Sequence, residues 1–198
     1  MKYKKIIQRK DNTYYWKEGD FHSNQGLIKE KDIKTKSKAI SNTDKEFVIY
    51  NAKFIDNLKK IRRGPQAIPF KDIGRIIIET GINKDSKIVD AGTGSGMLVA
   101  SLANIAKQVT TYEKREDFMK IAEKNFKNLE LKNIKIKNKD IYDGISEKNI
   151  DLITLDLDSP WLVIEHAEKA LISGGFLVSY SPSIPQVQDF IKKIEETE

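Results

Sequence analysis

The sequence predicts an α/β fold, a parallel sheet covered by helices, preceded by a small β domain. Three observations carry this. From about residue 71 onward, apolar strand-like runs alternate with helical stretches, the pattern of successive βαβ units. Up to about Tyr50 the runs are short and separated by turn residues, which reads as a small antiparallel sheet or barrel. Between the two halves of the first βα pair lies a glycine-rich loop, Gly92-Thr93-Gly94-Ser95-Gly96.

Composition limits the alternatives. A chain of 198 residues, 39% apolar and 32% charged, is long enough for one compact domain or one domain with a small satellite. It is too apolar for disorder and too charged for a membrane span. Its start (MKYKKIIQRKDNTYYWKEGD) has no apolar signal-peptide region, so a cytoplasmic location is expected. With no cysteine there is no disulfide framework, no thiolate ligand and no thiol nucleophile. His22 and His166 are the only imidazoles, too few for a multi-histidine metal site, and both are read as structural.

The net charge of +6 is unevenly placed. Residues 1–63 carry 17 Lys+Arg against 8 Asp+Glu, a net of +9, and the remaining 135 carry 18 against 21, a net of −3. Such asymmetry points to a polyanionic partner, with a solvated lysine-rich face as the bland alternative.

Taken in order, KYKKIIQ, TYYWKE, GDFHS, GLIKE and EFVIYNA are the short strand-like runs, punctuated at Asp11-Asn12, Gly19-Asp20, Asn24-Gln25-Gly26 and Ser41-Asn42. Tyr14, Tyr15 and Trp16 either pack this sheet or stack on bases, packing being favoured. A short helix, Lys53–Ile61, puts Phe54, Ile55, Leu58 and Ile61 on one face, and Arg62-Arg63-Gly64-Pro65 follows as a basic joint. The domain division is thus 1–52 for the β domain, 53–64 for linker and joint, and 65–198 for the larger domain. In the latter, helices are predicted over Lys71–Glu79, Met97–Ile105, Arg115–Asn128, Trp161–Leu171 and Pro185–Glu195. Strands are predicted over Lys87–Ala91, Gln108–Glu113, Ile134–Lys139, Asp151–Leu157 and Gly175–Tyr180.

The glycine loop allows a tight turn and lets backbone approach a ligand. Preceded by Asp90 and spaced G-x-G-x-G, it is not the G-x-G-x-x-G of dinucleotide binders, and it lacks the Gly-Lys-Ser/Thr of a phosphate loop. Glu113, about 20 residues on at the next strand's end, can accept both hydroxyls of a ribose. Asp140 ends the third strand. Acid-G-x-G-x-G, then Glu, then Asp resembles the Rossmann-like class I of S-adenosylmethionine-dependent methyltransferases. In Leu155-Asp156-Leu157-Asp158-Ser159-Pro160-Trp161, Asp158 or Ser159 suits a helix cap with Pro160 in the first turn, which leaves Asp156 free to polarise an acceptor amine.

Several further stretches resemble one family. They are Arg62-Arg63-Gly64-Pro65-Gln66-x-Ile68-x-x-Lys71-Asp72, Ala91 to Gly96, Tyr112-Glu113-x-Arg115-x-Asp117-Phe118, Leu155-Asp156-Leu157, Tyr180-x-Pro182-x-x-x-Gln186-Val187, and Phe21-His22-Ser23-x-x-Gly26. Together these resemble the TrmI family, tRNA adenine-N1 methyltransferases that act in the T-loop at position 58 and, in archaea, also at 57. The resemblance implies S-adenosylmethionine as cofactor, S-adenosylhomocysteine as its product, tRNA as partner, no metal and no membrane, and a homotetramer. It implies that Gly92, Gly94, Ser95, Gly96, Met97 and Leu98 surround the cofactor's methionine part. Glu113 with Phe118 would take the ribose, Asp140 with Ile141 the adenine, and Gln66 would close the pocket. Asp156 would sit between sulfonium and substrate, Tyr180 would line the acceptor pocket, and Arg62, Arg63 and Lys71 would meet nucleic acid.

Two departures stand out. Pro69-Phe70 replaces an aromatic or His followed by Pro, and the family's final strand pair is not expected after the last helix of these 198 residues. Two rival readings remain: a small-molecule methyltransferase of the corrin-precursor type, which needs no basic β domain, and a non-catalytic tRNA-binding subunit, which needs no intact glycine loop.

Overall fold

Alternation along the first strands decides which side chains make the core of the N-terminal unit. The computed structural model describes residues 2–62, 64 and 67–197, so Arg63, Pro65 and Gln66 lie outside the described residues. The chain divides into two compact units, residues 1–60 and 61–198. In the first, β1 (Lys5–Arg9) and β2 (Asn12–Trp16) pair antiparallel. β3 (Phe21–Ser23) and β4 (Gly26–Ile28) form a separate hairpin, followed by helix α1 (Glu30–Thr35). β5 (Lys38–Ile40) and β6 (Glu46–Asn51) complete a four-stranded sheet of order β2-β1-β6-β5. Cross-strand partners share a face, so Tyr14, Ile7 and Ile49 line up on one side. That side meets Trp16, Ile28, Ile33, Ala39 and Phe47 in the core.

This register decides between packing and stacking for Tyr14, Tyr15 and Trp16. Trp16 is buried, with its indole N–H donating to the Gly19 carbonyl at 2.8 Å, and Tyr14 packs edge-on to Phe21. Tyr15 points to the other face, where the Lys60 ammonium sits 4.1 Å from its ring centre. Helix α2 (Phe54–Leu58) closes this unit, its Asn57 side chain bonded to both backbone groups of Tyr3.

In the second unit, α3 (Phe70–Thr80) ends at Gly81, which takes a left-handed φ of 60° and donates its N–H to the Ile77 carbonyl. Strand β7 (Lys87–Ala91), helix α4 (Met97–Ala103), β8 (Gln108–Tyr112), α5 (Glu116–Leu129) and β9 (Ile134–Lys137) step outward in one direction. β10 (Ile150–Leu155), α6 (Ile164–Ala170), β11 (Leu171–Ser179) and α7 (Ile184–Glu195) step outward in the other. The sheet order is β9-β8-β7-β10-β11, and all four pairings are parallel. Between β7 and β10 the winding reverses. Chains that leave adjacent strand ends in opposite directions open a crevice there, at the carboxyl ends of the strands.

The structure differs from the sequence reading in particular places. The GLIKE run forms β4 over Gly26–Ile28 as expected, whereas helix α1 starts at its last residue, Glu30, and covers a stretch to which the sequence reading gives no element. Helix α1 has one buried residue, Ile33, and carries the exposed ion pairs Lys34–Glu30 and Lys36–Asp32, so no apolar periodicity marks it in the sequence. The helix expected over Trp161–Leu171 is a 3-10 turn, Pro160–Val163, followed by α6, which stops at Ala170 because Leu171 is drawn into β11 opposite Ile150. A bulge then absorbs the extra residues before Phe176 pairs with Leu152, with Gly174 at φ 80°. The helix near residue 53 is also shorter than expected and belongs to the first compact unit. Among the described residues β11 is an edge strand, and α7 carries no fully buried side chain.

Two loop glycines are needed for packing as well as for turn geometry. Gly92 has φ 86°, and a side-chain carbon there would overlap the Asp156 carbonyl oxygen. Gly96 has φ 80°, and a methyl there would run into the Phe126 ring. Gly94, at φ 52°, has nothing closer than 3.8 Å. Gly92→Ala is therefore expected to cost upward of about 2 kcal/mol, and Gly94→Ala about 1–2 kcal/mol. Denaturant unfolding of the two variants reads the difference, and equal losses would refute it.

Candidate active site

The crevice at the strand ends is a cleft of about 500 Å³, a volume suited to a cofactor-sized ligand. Four of the five strands contribute their C-terminal ends or the residues that directly follow them. Ala91 to Ser95 come from the β7 turn and Met97 and Leu98 from the start of α4. Tyr112 to Arg115 come from β8, and Lys139 to Tyr142 from the segment after β9. Asp156 to Asp158 follow β10, Phe118 lies on α5, and Gly64, Ala67 and Ile68 stand before α3.

Glu113 is buried and held from two directions. One carboxylate oxygen accepts the Gly94 N–H and the other the Arg115 N–H, each at 3.0 Å. These bonds fix the carboxylate between the glycine loop and the start of α5. Each oxygen keeps a further lone pair for a hydroxyl donor. The Arg115 guanidinium lies 3.5 Å from the centre of the Phe118 ring, forming a flat wall beside it.

Asp140 caps a short 3-10 turn, Ile141–Asp143, by accepting the Tyr142 N–H at 3.2 Å, and pairs with Lys114 at 3.6 Å. The Tyr142 hydroxyl donates to Asp158 at 2.8 Å and also accepts the Ser159 N–H. That hydrogen bond holds the Asp158 carboxyl below the usual carboxylate range. Burial, aided by Asp158, pushes the Tyr142 phenol up to about 12. Asp158 is thus engaged by Tyr142, while Ser159 stands at the cap position without a side-chain cap bond. The link joins the segment after β9 to the segment after β10.

Asp156 stands apart. Its backbone N–H is tied to the Ala91 carbonyl at 2.9 Å, which continues the β7–β10 ladder into the site. Among the described residues nothing bonds its carboxylate, and burial alone pushes its pKa up to about 6. A half-buried carboxylate given no protein donor is poised to accept one from a ligand.

Of the residues expected from sequence, Asp156, Gly92, Gly94, Ser95, Met97, Leu98, Glu113, Phe118, Asp140 and Ile141 come together around this cleft. Gly96 does not line it but forms the N-terminal cap of α4 against Phe126. Tyr180 does not line it either; its N–H is bonded to the Leu155 carbonyl at 2.8 Å, extending the β10–β11 pairing. Arg62 and Lys71 lie off the cleft. Arg62 exchanges backbone bonds with the Asn125 side chain, and Lys71 is exposed beside Asp72 at 3.7 Å. Gln66 and Arg63 fall outside the described residues. Sequence reasoning missed Lys114, Tyr142 and a site position for Asp158. The available signal was position, since Tyr142 and Asp158 each stand two residues after an acid at a strand end. Among the described residues no cluster of His, Asp or Glu could hold a metal ion.

A parallel sheet wound outward in both directions, a G-x-G-x-G turn and acids at three strand ends define the fold of class I S-adenosylmethionine-dependent methyltransferases. Solved structures agree. An S-adenosylmethionine-dependent O-methyltransferase from Thermotoga maritima superposes with a TM-score of 0.84 and 29% identity, covering 98% of this chain and 77% of that one. The tRNA (m1A58) methyltransferase TrmI from Aquifex aeolicus gives 0.81 and 26%, covering 99% and 82%. Residues 60–198 match the family of the tRNA methyltransferase complex GCD14 subunit, and the chain belongs to that family. The tRNA (adenine(57)-N(1)/adenine(58)-N(1))-methyltransferase TrmI of Methanocaldococcus jannaschii is 31% identical over 98% of this chain and 80% of its own length. TrmI of Thermus thermophilus is 31% identical over 63% of this chain, which spans only 51% of that relative.

The Tyr142–Asp158 bond yields a direct expectation. In Tyr142→Phe the Asp158 carboxyl loses its strongest donor, so its pKa should rise toward the ordinary value. Carbon-detected NMR titration of Asp158 reads this, and an unmoved midpoint would show that the phenol does not set it.

Proposed function

We propose that this enzyme transfers the methyl group of S-adenosylmethionine to N1 of adenine in the tRNA T-loop, at position 58 and also at 57. The observation that carries this is the half-buried carboxylate of Asp156, which lines the cleft and has no hydrogen-bond donor among the described residues. The activities of the Methanocaldococcus, Aquifex and Thermus relatives support the choice of substrate. When bound, S-adenosylmethionine supplies a methyl group already activated by its positively charged sulfur.

The residues present fit that ligand. The open backbone at Gly92, Gly94 and Ser95, with Met97 and Leu98, would hold its methionine part. The fixed Glu113 carboxylate would accept the ribose hydroxyls beside Phe118, and Asp140 and Ile141 would border the adenine. The protein's remaining task is alignment and charge. Methylation at N1 makes the purine cationic. Asp156, by accepting a hydrogen bond from the exocyclic amine, stabilises the charge as it develops, an effect magnified where water is excluded. The target base must be extruded from its stack to reach this carboxylate. The excess of positive charge on residues 1–63 would meet the RNA phosphates, and the family relationship supports a homo-oligomer.

Asp156→Ala should leave S-adenosylmethionine binding measurable while turnover falls on the order of 10²–10³-fold. Near-normal turnover would remove Asp156 from the mechanism. The pH dependence has a definite sign. Asp156 must be ionised to accept the amine, and its pKa in the ligand-free enzyme is raised to about 6, so kcat/KM for S-adenosylmethionine, which reports the free enzyme, should climb through pH 6 and level above it. Below that point it falls about tenfold per pH unit. A profile flat from pH 5 to 8 would contradict the assignment.

Incubation with labelled donor and unmodified tRNA, followed by nucleoside mapping, tests the whole reading. Label outside the T-loop, or on a small molecule alone, would overturn it. Neutralising lysines of the first unit should flatten the salt dependence of tRNA affinity, by about 0.9 in log–log slope for each phosphate no longer neutralised. An unchanged slope would make that charge a solvated surface.

A further inference from the structure

Beneath the cleft lies an acid that the proposed transfer does not use. Asp90 is the fourth residue of β7 and only 2% exposed. One of its oxygens accepts the Thr154 hydroxyl of β10 at 2.7 Å, and the other accepts the Thr111 hydroxyl of β8 at 2.6 Å. Thr111 Oγ1 lies 2.5 Å from Thr93 Oγ1, which is 3.2 Å from the Tyr112 carbonyl. Thr93 belongs to the glycine loop and lines the cleft. A continuous chain of hydroxyls therefore runs from a buried carboxyl to the ligand-facing loop.

This chain is complete in either of two directions. With Asp90 charged, Thr154 and Thr111 donate to it, and Thr93 donates to Thr111. With Asp90 protonated, its own O–H donates to Thr111, Thr111 donates to Thr93, and Thr93 donates to the Tyr112 carbonyl. Every hydrogen is used in both arrangements, so changing the charge leaves no hydroxyl stranded. The charged groups that act most on Asp90 are Asp156 from the end of β10 and Glu113 from the end of β8, both acidic. Three carboxylates thus converge beneath and beside the cleft. A sulfonium in the cleft would supply the opposite charge.

On the reading of the cleft as an S-adenosylmethionine site, we propose that Asp90 is a positioning residue. It releases a proton to solvent when a sulfonium ligand binds, and the hydroxyl chain carries the change to Thr93. Desolvation raises the Asp90 carboxyl to about 6 against the lowering effect of the two threonine bonds, which places the exchange at mildly acidic pH. The bound cation favours the carboxylate; the proton leaves for the buffer; no other bond is made or broken.

The test is calorimetric titration of the full chain at pH 6 in buffers of different ionisation enthalpy, with S-adenosylmethionine and, separately, S-adenosylhomocysteine. The two ligands differ in the methyl group and its charge, so their difference in proton release isolates the sulfonium. Asp156 titrates in the same range and is removed by Asp156→Asn. That variant should still release up to about half a proton more with S-adenosylmethionine than with the homocysteine. The Asp90→Asn/Asp156→Asn pair should release no excess. If Asp156→Asn alone abolishes the excess, or both ligands release equally, the proposal falls. Thr111→Val covers the case in which the paired variant does not fold. Loss of one donor to the carboxylate should move the pH of half-maximal release upward in the Asp156→Asn background, and an unmoved midpoint would overturn the assignment. If S-adenosylmethionine does not bind at all, the reading of the cleft fails together with this proposal. Binding without excess proton release refutes the role of Asp90 alone.

Discussion

The site depends on how closely the ends of β7 and β10 approach. The Asp156 N–H bonds the Ala91 carbonyl, and the Gly92 backbone lies where any side chain would strike the Asp156 carbonyl. This contact brings the acid after β10 against the loop after β7 at the point where the winding of the sheet reverses. Gly92 is thus a requirement of sheet geometry before it is a requirement of ligand binding. The same backbone that admits a ligand is positioned by excluding a methyl group.

From that contact the carboxylates acquire different roles. Glu113 is pinned by two backbone N–H groups, Asp140 caps a turn and pairs with Lys114, and Asp158 holds the Tyr142 hydroxyl. Asp156 has no donor among the described residues, and Asp90 has only hydroxyls. Carboxylates with fixed donors serve as scaffold and recognition groups. Burial makes Asp156 and Asp90 keep their protons to higher pH, so these two respond to what enters the cleft.

The N-terminal unit is built differently. Its core of Ile7, Trp16, Ile28, Ile33, Phe47 and Ile49 is small, and alternation sends Tyr14 inward and its neighbour Tyr15 outward. Exposed ion pairs such as Lys38–Glu46 offset part of its positive charge but add little stability. What they leave is a small scaffold with a lysine-rich surface.

By itself the sequence determined the sheet-and-helix alternation, the glycine loop, the acids Glu113, Asp140 and Asp156, and the family. These depend on local periodicity, on turn chemistry and on spacing along the chain, all of which survive without a third dimension. Only the tertiary structure decided that α1 is a helix, that β11 begins at Leu171, and that Tyr180 and Gly96 stand off the cleft. It also decided that Tyr142 meets Asp158, and that Asp90 is linked through Thr111 to Thr93. The physical reason is that ladder pairing, burial and hydroxyl contacts join residues 16 to 64 positions apart in the chain. No local pattern encodes which of several acids will be given a donor and which will be left without one.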